Sequence, residues 1–445
     1  MLARQFNLIL AILAIAAIAG YIFLWDFEGL RSPFYLFSII SCGLYFYFSK
    51  KNISTFVFSL PIIFVFLALF SQNFDFSDIP FISGLVNIQI SQKALVIYFL
   101  GVLCLYLGWI IGNICARSLV FPSIKFRLGS SKTFLWGLYY FFGMINILSM
   151  IKVGGLPIFN IALRWGLDPK LVFIGGLQIY IIPFILYRYK DSSRYNTYLV
   201  FVMLLSSISL ALLGARNPLF KLIVLVTIFN VLIGKWSIKT ILKYGLTLGL
   251  SAYLLIGIYT KAGIYNVDIS LKMVMAILSM DSLGTLYNFD KIVALTPATG
   301  HFHGQLIGES IMKMIPGIAD VRYANQHIGI YLGYGDSKSI GGTVVHAQIS
   351  LSPTMFGVAY ADFGYLGVII SILILSISLG FLYGGFLQKR VFSSFFSILA
   401  MIVMYSTYGG FYGADLLYGI FFCLLFILIN LIAIKIRGVR NANCK

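Results

Sequence analysis

The sequence predicts an all-α polytopic membrane protein, and three observations carry that reading. Hydrophobic residues make up 60% of the 445-residue chain. Charged residues make up only 10%, against about 25% in an ordinary globular protein. The apolar residues also fall in long runs, and a backbone in lipid must satisfy its own hydrogen bonds, which a helix does within one segment. An assembly of soluble domains is excluded, because no single core could hold so much apolar surface.

Runs of about 17–25 residues place twelve spans, at roughly 6–25, 34–49, 54–71, 94–116, 133–151, 171–187, 197–213, 217–234, 244–260, 355–386, 391–410 and 416–434. The second is short, and the tenth is long enough to include a re-entrant or tilted start. Ala14-Ile15-Ala16 in the first run resembles a signal-peptide cleavage site, but its length exceeds a usual signal-peptide core and favours an uncleaved anchor.

Charge then sets the orientation. The chain has 32 Lys+Arg and 14 Asp+Glu, for a net +18. With both termini in the cytoplasm, 19 of the cations lie in inner segments beside a single acid, Asp191. Outside, 13 cations balance 13 acids. The whole excess is therefore internal, as the positive-inside rule requires. On a soluble chain it would suggest nucleic acid; here it reports orientation, and no nucleic-acid partner is implied. The cysteines (42, 104, 115, 423 and 444) lie in spans or the tail, so no outer disulfide framework follows. No internal repeat is visible, which weighs against a transporter built from inverted halves.

The organisation is therefore residues 1–260 with nine spans, an outer loop over 261–354, and residues 355–445 with three spans and a basic tail. That loop is too long for a turn and contains all four histidines: His301, His303, His327 and His346. Apolar residues at helical spacing over 271–293 and 306–315 predict short interfacial helices within it. An imidazole titrates near neutral pH, so the cluster marks a candidate site, with a structural lid as the alternative. His301-Phe302-His303 also invites a metal reading, since alternate residues share a face when extended, but no cysteine lies nearby.

Cations form a second concentration. Arg216 stands in Gly214-Ala215-Arg216-Asn217-Pro218, between the seventh and eighth spans, and Lys221 follows inside the eighth. A cation in hydrocarbon usually faces a cavity or a partner. Lys152, Arg164 and Lys170 stand in the preceding outer connection with one acid, Asp168. Such clusters suit an anionic ligand, phosphate above all, because Arg offers a bidentate fork; headgroup anchoring is the alternative for the lysines. A third feature leads into the tenth span: Ser352-Pro353-Thr354 and then Gly357-Val358-Ala359-Tyr360-Ala361-Asp362-Phe363-Gly364-Tyr365-Leu366-Gly367. Asp362 would be unpaired in lipid unless it faces an interior.

These motifs resemble those of a known family. The Gly214-Ala215-Arg216-Asn217-Pro218 turn is similar to the small-residue-Arg-Gly/Asn-Pro element of Wzy-type oligosaccharide repeat-unit polymerases. The run from Ser352 to Gly367 resembles the segment after their large periplasmic loop, and about twelve spans with that loop between the ninth and tenth fit as well. The motifs cover about twenty residues, the architecture nearly the whole chain.

The resemblance implies a GT-C-like fold, shared with the related O-antigen ligases, in the bacterial inner membrane. It implies undecaprenyl-diphosphate-linked donor and acceptor glycans, membrane lipids around them, and a flippase and a chain-length regulator as partners. It implies neither metal, nucleotide sugar nor other cofactor. Arg216 would stabilise the diphosphate leaving group, with Lys221, Arg164, Arg322 and Lys261 in support, and Tyr323 and Tyr360 would meet the glycan. His346 is the first choice of base, His303 the second and Asp336 the third. In the ligases a histidine opens the corresponding helix; here Ser352-Pro353-Thr354 stands there, so His346 does not align. A ligase-type transferase and a lipid-linked oligosaccharide flippase are the alternative functions; the embedded Lys221 favours the flippase and the histidine-bearing loop opposes it.

Overall fold

The computed structural model describes residues 90–119, 132–160, 166–214, 216–236, 270–312, 338–340, 343–345, 354–388 and 393–409, with isolated positions at 61, 65, 76, 78, 79, 163, 419 and 423. The expected spans at 6–25, 34–49 and 244–260 lie outside these residues, as do all but isolated positions of those at 54–71 and 416–434.

In chain order the helices are α1 (Gln92–Ser118), α2 (Lys132–Lys152), α3 (Pro169–Gly176), α4 (Gln178–Tyr189), α5 (Tyr195–Leu212), α6 (Arg216–Leu232), α7 (Leu271–Thr299), α8 (Gln305–Met312), α9 (Thr354–Gln388) and α10 (Ser393–Gly409). Among the described residues, α1, α2, α5 and α9 are long and apolar enough to cross a membrane. The protein is a multi-pass membrane protein. The all-α expectation needs one amendment. Strands β1 (Lys338–Ile340) and β2 (Thr343–Val345) pair antiparallel, Lys338 opposite Val345. Gly341-Gly342 stands between them in the sequence, a pair suited to the positive φ of a two-residue hairpin turn.

Two compact units divide the chain: Met1–Val120, Leu278–Gly385 and Val403–Ala414 form one, and Phe121–Ile277, Phe386–Ile402 and Asp415–Lys445 the other. In the first unit, α1 is buried at every residue from Ala94 to Tyr106. A helix apolar all round is an interior helix. Its seam with α9 is made by two Gly-x-x-x-Gly pairs, Gly108/Gly112 and Gly380/Gly384. A Cβ at Gly112 would overlap the Ile377 carbonyl, and one at Gly380 the Trp109 carbonyl. Small residues let backbones touch where lipid supplies no hydrophobic drive for helices to associate. The Ser376 hydroxyl donates to the Leu105 carbonyl across this seam. Higher up, Tyr98 packs edge-on against Phe289 of α7 and Phe356 of α9, at 6.2 and 4.8 Å between ring centroids.

The helix expected over 271–293 is present as α7. It runs to Thr299, and from Leu283 to Val293 no residue is exposed. Asp290 and Lys291 are the only charges along that stretch, and both are half-buried. Asp290 is engaged at the start of α1, where it accepts from the Ser91 amide at 3.2 Å and from the Ser91 hydroxyl. Ser91 in turn caps α1 by accepting from the Ala94 amide.

In the second unit α2 packs on α3, α4 and α5, and α6 on α4 and α5. The expected sixth span is broken at Leu177 into α3 and α4, directly after Gly175-Gly176, where two glycines raise the entropic cost of continuing a helix. At one end of this unit Trp136, Tyr189 and Tyr198 cluster, with Tyr189 and Tyr198 stacked at 3.8 Å. Lys132 lies over the Tyr189 ring and Lys235 over Tyr195. Aromatic rings and cations at helix ends are the composition of a membrane interface.

Candidate functional site

The best-defined polar arrangement in the first unit joins residues 300–307 to 360–364. It begins where α7 ends: Gly300 takes φ +88° and its amide closes on the Thr296 carbonyl at 2.9 Å, a left-handed helix stop. On the other side, α9 is interrupted at Gly364, with φ 64° and ψ −147°. An uninterrupted helix would use the carbonyls of Tyr360, Ala361 and Asp362 for the amides of residues 364–366. The break frees them, and three consecutive donors of the loop take their place. The Phe302 amide donates to the Ala361 carbonyl at 3.0 Å and the His303 amide to the Asp362 carbonyl at 2.9 Å. His301 Nδ1 lies 3.2 Å from the Tyr360 carbonyl oxygen.

The Asp362 side chain closes the arrangement. It is fully buried, and its two oxygens accept from the Leu306 and Ile307 amides, each at 3.1 Å. These amides are in the first turn of α8, which has no intrahelical partner for them and whose dipole favours a negative charge. The acid that needed an interior has a helix terminus as its partner. His303 sits between these contacts at φ 52°, a left-handed conformation that histidine adopts more readily than most residues. Both imidazoles are exposed. Tyr360 is buried, with its ring edge-on to His301 at 6.0 Å and to Tyr365 at 5.5 Å. Thr354, also at positive φ, accepts from the Gly357 amide at 3.2 Å and caps the start of α9.

The second unit carries the cationic cluster. The turn after α2 is tied to the end of α5 by the Ile158 amide, which donates to the Leu212 carbonyl at 3.2 Å. After Gly214, at φ +68°, helix α6 begins with Arg216 as its first residue. Pro218 is tolerated there because amides in a first turn have no intrahelical acceptor. Lys221 is half-buried one turn further on. Lys152 is paired with Asp168 at 2.8 Å, so its charge is already matched.

Of the residues singled out by sequence, Arg216, Lys221, His303 and Tyr360 are among those described; Arg164, Lys261, Arg322, Tyr323, Asp336 and His346 lie outside them. His301 entered the sequence reading as one of the four clustered histidines and as half of a metal pair, but not as a candidate base. Among the described residues no three His, Cys, Asp or Glu side chains converge as ligands would. The signal that could have singled out His301 is Gly364: a glycine breaking a helix two residues after a buried acid leaves carbonyls in need of donors.

A family model described as "Putative O-antigen polymerase" matches residues 50–422. The chain belongs to the O-antigen polymerase family. No curated protein and no solved structure matches it. The matched range spans α1 to α10 and so includes both polar arrangements. Membership brings a glycosyltransferase-type polymerisation and lipid-linked oligosaccharide substrates held in the membrane.

Proposed function

We propose that the protein joins undecaprenyl-diphosphate-linked repeat units at the outer leaflet of the bacterial inner membrane. The family match over residues 50–422 carries this reading. A hydroxyl of the incoming lipid-linked unit attacks the anomeric carbon of the growing glycan. The bond from that carbon to the diphosphate oxygen breaks, its electron pair leaves with the lipid diphosphate, and the hydroxyl proton passes to a base.

Cations stabilise the charge that develops on the leaving group. Arg216 takes this role, supported by its position at the first residue of α6, where free amides and the helix dipole also favour an anion. Lys221, Arg164, Arg322 and Lys261 assist, and Tyr323 and Tyr360 border the glycan. The base is a side chain of the 261–354 loop; residue type alone orders its candidates as His346, His303 and Asp336, without separating them from His301. The reaction uses no metal and no nucleotide sugar. Twelve spans in a GT-C-like arrangement keep both termini in the cytoplasm and the long loop in the periplasm. A flippase delivers the units and a chain-length regulator limits the product.

Purified protein in detergent, given lipid-linked repeat units and no added metal, is expected to produce a ladder of longer glycans. Arg216→Ala should slow elongation by about 10²–10³-fold, the cost of losing one preorganised donor to a developing anion. Failure to elongate competent units, with translocation of those units across proteoliposomes, would establish the flippase instead. Transfer to a separate lipid acceptor without a ladder would establish a ligase.

A further inference from the structure

We infer that His301, through its Nε2 atom, is the group that removes the proton from the attacking hydroxyl, an assignment that rests on the polymerase reading. The argument starts from a carbonyl. The atom facing His301 Nδ1 at 3.2 Å is the Tyr360 main-chain oxygen, which can only accept. The contact is a hydrogen bond only when Nδ1 carries the hydrogen. The neutral ring is then held as the Nδ1–H tautomer, and the lone pair stands on Nε2. A histidine whose second nitrogen is tied to a carbonyl is oriented as well as tautomerically set, which is how a base is prepared without being charged.

Three further features build this state. Gly364 interrupts α9 and so frees the Tyr360 carbonyl. The same glycine makes room for the ring: an added Cβ would stand 3.0 Å from His301 Cε1 and 3.2 Å from Nε2. The Phe302 and His303 amides, bound to the next two freed carbonyls, fix the main chain on the far side of the imidazole. His301 is nevertheless an exposed residue, open to approach by a substrate hydroxyl. His303 has none of this on its side chain. Its ring has no hydrogen-bond partner among the described residues, and only its amide is bound.

The balanced step follows. The acceptor hydroxyl oxygen bonds to the anomeric carbon and its proton moves to His301 Nε2. The carbon–oxygen bond to the diphosphate breaks with its electron pair on the leaving group, and the imidazolium later returns its proton to solvent.

The test uses the full-length protein in the elongation assay. His301→Ala should lower kcat by about 10²–10⁴-fold, the range for general acid–base catalysis, with KM for the acceptor changed less than about threefold. Added imidazole should restore part of the rate in proportion to its concentration. His301→Asn serves if the alanine variant does not fold: its amide nitrogen takes the place of Nδ1 and donates to the Tyr360 carbonyl but offers no basic nitrogen, so the same loss is expected. The assignment is overturned if either variant elongates within about threefold of wild type. It is overturned equally if His303→Ala or His346→Ala is the variant that imidazole rescues, or if KM rises as much as kcat falls without rescue. Absence of a ladder with wild-type protein defeats the polymerase reading itself and is recorded before any variant is made.

Discussion

At Asp362 a carboxylate is fully buried in the helix that follows the long loop, and two amides of α8 answer it. Hydrogen bonds to a charged group contribute about 1.5–3 kcal/mol each, so the clamp holding residues 300–307 depends heavily on this side chain. If His301 is the base proposed above, Asp362 acts on it as a positioning residue through the loop. Asp362→Ala should cost roughly 3 kcal/mol of local stability, read as lost hydrogen-exchange protection at Leu306 and Ile307. It should also lower kcat at least about tenfold with a smaller change in KM, and Asp362→Asn, which keeps one acceptor, should fall between. Unchanged protection in the alanine variant would show that the clamp does not hold the loop. The sequence marks Asp362 as an acid in need of an interior. It does not name the partner, because main-chain amides 55 and 56 positions earlier carry no side-chain signature.

Helix existence and length are where an apolar sequence is most legible. The runs at 94–116 and 133–151 become Gln92–Ser118 and Lys132–Lys152, and the long tenth run becomes α9, interrupted at Gly364. Rotation is far less legible. In a run that is apolar on every side, hydrophobicity gives length but not the face that meets a neighbour, so the Gly108/Gly112 and Gly380/Gly384 seam passed unread. Likewise the 271–293 run gives a helix, but not the finding that no residue of α7 from Leu283 to Val293 is exposed. The seam makes a sharp prediction. Gly112→Ala forces a Cβ into the Ile377 carbonyl and should destabilise the protein by about 1–3 kcal/mol, as overpacking does. Gly137→Ala on α2, where nothing lies within 4 Å, should be neutral or slightly stabilising. Thermal unfolding of both variants in one detergent reads the contrast, and equal midpoints would mean that α1 and α9 are not in close contact.

Across the whole molecule, the proposed orientation rests on the net +18. Lys132, Lys190 and Lys235 each lie over a tyrosine ring at helix ends of the second unit, the places that the charge census assigns to the inner surface. In a background without the natural cysteines, Asp191→Cys should react with an impermeant maleimide only from the cytoplasmic side and Ser339→Cys only from the outside. The reverse pattern would invert the topology and remove the long loop from the periplasmic reaction. The candidate site is legible only in part: the histidine cluster and the Arg216 turn stand out by residue type, whereas the proposed choice of His301 depends on a carbonyl freed by a backbone break. The central claim, that the growing glycan is transferred from its own lipid diphosphate onto the incoming unit, is tested by the order of growth. Purified protein is given unlabelled lipid-linked chains and then a pulse of labelled single units. The account predicts the newest label beside the lipid and one free lipid diphosphate released per bond formed. Label at the end of the glycan far from the lipid, or elongation without release of lipid diphosphate from the growing chain, would contradict it.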